Sequence, residues 1–168
     1  MADEGNVISD LKLDAPQPNG EDIGPAAGII SQYVKDLSVE NPNAPQSYQW
    51  QDPPQLDVQF NIQADQIDAE IHEIALKITM SAKAEAGMVY MIDLVYAGLV
   101  GMRGLAPEQM HAFSYAEAPR ILFPFARRIV ADAVRDAGYP PVMLEPIDFN
   151  GLYLQQLAQA QTEPAGNA

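Results

Sequence analysis

Between Gln55 and Gln63 apolar and polar residues alternate without a break, Leu56, Val58, Phe60 and Ile62 against Asp57, Gln59, Asn61 and Gln63. Successive side chains of a strand point to opposite faces, so this run predicts a strand with one wet and one buried face, as in antiparallel sheets. Ala69 to Ala82 repeats the pattern, with Ile74, Leu76, Ile78 and Met80 on one side and Glu73, Lys77 and Thr79 on the other. Ile30 to Glu40 places Tyr33, Leu37 and Val39 opposite Asp36, Ser38 and Glu40. Met88 to Val100 differs: Met88, Tyr90, Ile92, Leu94 and Tyr96 face one way, Val89, Met91, Val95 and Ala97 the other, and only Asp93 is charged. A strand apolar on both faces must bury both, and a four-stranded sheet has few helices to cover them. The pattern therefore predicts self-association, with Tyr90, Ile92 and Tyr96 as the interface.

The remainder reads as helix. Pro107 opens a short helix, as proline does at a first helical position. Arg120 to Ala137 carries Leu122, Phe125, Ala126, Ile129, Ala133 and Val134 at helical spacing, and Pro124 predicts either a start or a kink there. Gly138 stands where a C-terminal cap belongs, before Pro140 and Pro141. Asp148 is the expected N-cap of a last amphipathic helix bearing Phe149, Leu152, Tyr153 and Leu157. Strands first and helices after make an α+β fold. Residues 1–28 read as a disordered acidic leader with six acids against Lys12, residues 29–157 as one domain, and residues 158–168 as a flexible tail.

No catalytic constellation is present. The chain has no cysteine, which excludes disulfides, thiolate metal sites and cysteine nucleophiles. His72 and His111 have no partner at metal-ligand spacing, so no metal is expected. There is no phosphate-binding glycine loop, hence no nucleotide and no other cofactor, and no serine sits in a nucleophile elbow. With 23 acids against 9 bases the formal charge is −14, a field that repels phosphate backbones and attracts cationic partners. No run approaches the ~18 apolar residues of a spanning helix, and the acidic opening Met1-Ala2-Asp3-Glu4 does not look like a secretory signal; the expected location is cytoplasmic. Against this background, aromatic and aliphatic side chains such as Trp50, Tyr90, Tyr96 and Tyr153 serve either as core and subunit interface or as a groove for extended apolar polypeptide.

Three segments carry a family resemblance. Tyr33-Val34-Lys35-Asp36-Leu37-Ser38-Val39-Glu40-Asn41-Pro42-Asn43-Ala44-Pro45 resembles the K-D-I/L-S-F-E-x-P-N-A-P signature of the protein-export chaperone SecB family. Ile121-Leu122-Phe123-Pro124-Phe125-Ala126-Arg127 is similar to its I-L-F-P-Y-A-R. Residues Gly138 to Phe149 resemble its G-x-F-P-x-L-x-L-x-P-I/V-N/D-F, and the likeness runs in register over residues 29–157. It implies a homotetramer, a dimer of dimers whose subunits are four-stranded antiparallel sheets followed by helices. It implies an ATP-independent holding chaperone, not an enzyme, that keeps unfolded preproteins competent for translocation and passes them to the export motor ATPase SecA. The motor's basic, zinc-bearing C-terminal segment would dock on Asp36, Glu40 and Asp93, the zinc belonging to the motor. Client contacts would fall on Leu56, Val58, Phe60, Leu152, Tyr153 and Leu157.

The chain departs from the family at Trp50, which does not align with the usual tryptophan, and at Asp93, where glutamate is common. Two other readings stay open at this level: a related chaperone dedicated to a narrower client such as an antitoxin, and an oligomeric enzyme using Asp93 as a base.

Overall fold

A computed structural model describes residues 24–162. Four strands, β1 (Ala26–Glu40), β2 (Gln55–Gln66), β3 (Ile71–Ala84) and β4 (Gly87–Arg103), form one antiparallel sheet in the order β1-β4-β3-β2. Three helices follow: α1 (Pro107–Ala112), α2 (Ala118–Asp136) and α3 (Phe149–Thr162), with one π turn over Phe113–Glu117 between the first two. Strands before helices, all antiparallel, is the architecture the patterning predicts. β1 begins three residues ahead of the expected domain start and α3 runs five residues past its expected end, while most of the leader and the last six residues lie outside the described residues.

The register explains which side of the sheet is dry. Val58 pairs with Met80 and Met80 with Ile92; Phe60 pairs with Ile78 and Ile78 with Leu94. The even-numbered residues of β2, of β3 and of β4 from Tyr90 onward therefore share one face; before Tyr90 the register shifts, Met88 pairs with Lys83, and Val89 is the extra residue, buried with the core. α2 lies across that face, and Ile74, Leu76, Ile78, Met80, Ile92, Leu94, Leu122, Val130 and Val134 are fully buried between the two layers. Each such side chain contributes about 1.5–3 kcal/mol by leaving water.

This packing corrects the expected interface. Tyr90, Ile92 and Tyr96 are 3%, 0% and 6% exposed within the single subunit, covered by its own helices, so they offer no surface to a second copy. The 19-residue α2, about 28 Å long at 1.5 Å per residue, covers part of the two central strands, and Tyr139 of the loop after it packs on Tyr90 with ring centroids 5.2 Å apart. The second apolar face of β4 is the opposite one, where Met91, Val95 and Leu99 are half-buried around Asp93.

A second correction lies in β1. The pairing of Val34 with Tyr96 is followed by that of Asp36 with Val95, so Lys35 is an extra residue bulged out of the ladder. The extra residue inverts the alternation across it. Tyr33 consequently joins Asp36, Ser38 and Glu40 on the helix-free face, while Val34, Leu37 and Val39 share the other.

The helix boundaries follow local chemistry. α2 starts at Ala118, with Pro119 in its first turn, and continues through Pro124, whose missing N–H leaves the Arg120 carbonyl without its usual donor. Its buried stripe includes Phe123 and Val130, whereas Phe125 is 42% exposed and stacks on Tyr96 at 6.4 Å. The stripe is thus turned slightly from the expected one. α2 ends in a Schellman motif: Tyr139 N–H donates to the Val134 carbonyl at 3.2 Å and Gly138 N–H to Arg135 at 3.0 Å, with Gly138 at φ +92°. Asp148 caps α3 as expected, its Oδ1 accepting from Gly151 N–H at 2.9 Å.

Candidate binding surfaces

The helix-free face of the sheet gathers the acids singled out in the sequence. Asp36 lies opposite Val95, Ser38 opposite Asp93 and Glu40 opposite Met91, so Asp36, Asp93 and Glu40 occupy three successive rows on two adjacent strands. Asp36 and Glu40 are exposed. Asp93 is half-buried and accepts a hydrogen bond from Thr79 Oγ1 at 2.9 Å, which satisfies part of its carboxylate where the flanking β4 residues are apolar. Its environment is that of an anion open to water on one side, as its cost of burial requires.

One end of the same face is already neutralised internally. Glu73 accepts from Tyr33 Oη at 2.5 Å and from Lys35 Nζ, the residue delivered by the bulge. Hydrogen bonds from Lys35, then from Tyr33, hold the Glu73 carboxyl below the usual carboxylate range. The Tyr33 hydroxyl, donating to Glu73 and partly desolvated, is pushed up to about 12. Asp36, Glu40 and Asp93 stand beyond that cluster, toward the other end of the sheet.

The second surface is apolar and lies between the edge strand β2 and α3. A cavity of about 230 Å³ is lined by residues of β2, the π turn and α3, among them Phe60, Ile62, Tyr115, Phe149, Leu152 and Tyr153. Two of its lining rings, Phe60 and Phe149, each meet Phe123 edge-on, at 6.0 Å and 5.7 Å. Phe60 is 39% exposed and Leu152 50%. Tyr153 is turned inward and is 8% exposed, its hydroxyl 2.8 Å from His111 Nδ1. Of the sequence candidates, Phe60, Leu152 and Tyr153 meet at this cavity. Val58 packs half-buried against the core, and Leu56 and Leu157 are exposed outside the cavity lining.

A feature the sequence reading missed is a second hollow, of about 300 Å³, between the loop after β1 and the loop after α2. Tyr48, Trp50, Val89 and Tyr139 line it. A polar clasp closes its base: Asn41 Nδ2 donates to the Ala137 carbonyl at 2.9 Å, Tyr48 Oη to the same carbonyl at 2.8 Å, and Tyr139 Oη to Asn41 Oδ1 at 3.1 Å. The residues come from loops nearly a hundred positions apart, so no local spacing signals them. Among the described residues no group of three metal-ligating side chains converges, and no helix is long and apolar enough to cross a membrane. His72 keeps a buried Nδ1 without a partner, and His111 serves the contact with Tyr153.

A sheet with helices on one face, an acidic open face and an apolar groove at its edge defines a SecB-type fold. A solved SecB-like chaperone of Mycobacterium tuberculosis, in complex with a ChAD peptide from the HigA1 antitoxin, shares it at a TM-score of 0.61 and 20% identity, over 72% of this chain and 90% of that one. The family model for preprotein translocase subunit SecB matches residues 20–160, and the chain belongs to the SecB family. It is 65% identical to the protein-export protein SecB of Novosphingobium aromaticivorans over the full length of both chains. To that of Erythrobacter litoralis it is 60% identical, over 98% of this chain and 93% of the relative.

Proposed function

We propose that this protein is an ATP-independent holding chaperone of the export pathway. It keeps unfolded preproteins in a translocation-competent state in the cytoplasm and delivers them to the motor ATPase SecA. The observation that carries the reading is the apolar surface left open beside the groove, where Leu56 and Phe60 of β2 and Leu152 and Leu157 of α3 are 38–50% exposed on a member of this family. Exposed apolar area of this kind suits an extended client held by many weak contacts. The names of the two relatives above, both protein-export proteins, at 65% and 60% identity, support export clients over a dedicated antitoxin client.

The working assembly is a homotetramer. Val34, Leu37 and Val39 of the edge strand β1 and Phe125 of α2 are each 42–45% exposed on the helix side of the sheet, and a second copy is the economical cover for them. The acids Asp36, Glu40 and Asp93 form the docking face for the motor's basic, zinc-bearing tail. Each exposed pair is worth at most ~1 kcal/mol, so affinity comes from several acting together on repeated sites.

Light scattering gives the chain number, and suppression of aggregation of a signal-bearing precursor without nucleotide gives the holding activity. Titration with a basic zinc-bearing peptide reports docking, which Asp36→Asn, Glu40→Gln and Asp93→Asn each weaken while client holding is spared. A monomer, or normal peptide binding by all three variants, removes the corresponding part of the reading.

A further inference from the structure

Lys77 stands alone inside the acidic face. Among the described residues, Lys35, Arg120, Arg128 and Arg135 pair with carboxylates, Arg127 donates to the Leu144 carbonyl and Arg103 to that of Gly24. Lys77 and Lys83, both exposed on β3, make no ion pair or side-chain hydrogen bond with any described residue. On a chain with 23 acids and 9 bases, a cation left without an acceptor is the exception.

The register places Lys77 within the docking rows. Asp36, Val95, Lys77 and Asn61 form one row across the sheet, and Ser38, Asp93, Thr79 and Gln59 the next, all pointing to the helix-free side. With strands about 4.8 Å apart, the backbone of Lys77 lies about 10 Å from that of Asp36. It sits diagonally from Asp93, about 7–8 Å away. Asp93 turns its Oδ1 to Thr79 instead. The face is therefore acid, apolar and base in sequence across the strands, and not a uniform sheet of negative charge.

We infer that Lys77 is a specificity-determining residue of the docking face and takes a carboxylate of the docked segment. The segment that fits is mixed in sign, with basic side chains over Asp36, Glu40 and Asp93 and an anionic group one or two strand widths away. A purely acidic face would accept any polycation. A lysine set among the acids penalises a wholly basic segment by like-charge contact and favours the one whose acid meets it. The inference rests on the docking reading.

The test uses basic peptides with amidated C-termini and one position changed in turn to Asp or to its isostere Asn, with a third set carrying Asn and a free C-terminal carboxylate. Anisotropy at low salt measures each against the intact protein. The expected result is a preference of about three- to fivefold for an acid-bearing peptide, the upper range for one exposed pair. Lys77→Gln abolishes that preference, Lys77→Glu reverses it, and Lys83→Gln, at the far end of β3, leaves it unchanged. The third set shows whether the carboxylate comes from a side chain or from the chain end. Equal preference in wild type and both Lys77 variants, or no preference in wild type, overturns the inference while leaving docking intact if Asp36→Asn, Glu40→Gln and Asp93→Asn still weaken binding. Should those three substitutions have no effect on any peptide, the docking reading fails and this inference with it.

Discussion

Replacing both Phe60 and Leu152 by Ser tests the groove at its rim. Full burial of one such side chain is worth about 1.5–3 kcal/mol. Phe60 keeps 39% of its surface open and Leu152 keeps 50%, so a client covering them gains roughly 0.6–1.2 and 0.8–1.5 kcal/mol respectively. The two together account for about 2 kcal/mol, or roughly thirtyfold in affinity at each groove. Leu152 lies on the outer side of α3 and its loss costs the fold little. Phe60 contacts Phe123, so Leu152→Ser alone serves as the control, with about a fivefold loss. Binding is measured by fluorescence anisotropy with a reduced, unfolded polypeptide, alongside circular dichroism and light scattering. Unchanged affinity in the double variant refutes the groove. A fall in subunit number at intact helix content shows instead that these side chains join subunits.

Ile92→Ala should cost 2–5 kcal/mol of unfolding free energy in denaturant titration, because Ile92 is fully buried beneath α2. Dissociation of a still-folded subunit at lower denaturant would instead restore Ile92 to an interface. The Tyr33–Glu73–Lys35 cluster sets two pH limits. Glu73, lowered by Lys35 and Tyr33, contributes stability that is present above the ordinary carboxylate range and lost as pH falls through its depressed pKa. Tyr33, raised by Glu73, contributes stability that is complete below the ordinary ~10 and lost as pH rises through about 12. Ring NMR of Tyr33, assigned with Tyr33→Phe, should show late ionisation that Glu73→Gln returns toward the ordinary value; ionisation near 10 in the wild type contradicts the contact.

Much of the fold was legible because its signals are local. The alternation in β2 and β3 survives intact in the register, since each residue's face depends only on its parity within an unbroken strand. Gly138 and Asp148 were readable as caps because a positive φ and a free helix N-terminus are needs of a few adjacent residues. Asp36 and Glu40 stand in one family motif and Asp93 in the wider likeness, and the sheet brings all three onto one face.

The sequence by itself determined the α+β class, the four strands, the cap that ends α2, the cap that begins α3, and the family. Only the tertiary structure decided which side of β4 is closed by α2 and which is left to water, because period two reveals that both faces are apolar but not what arrives to cover each. It also decided that Tyr33 shares a face with Asp36, since one bulged residue, Lys35, inverts the parity while leaving no mark in the local pattern. The hollow at Tyr48, Trp50 and Tyr139 exists only where two distant loops meet around Asn41. Residues brought together by long-range closure share no spacing, so their meeting is a property of the folded chain alone.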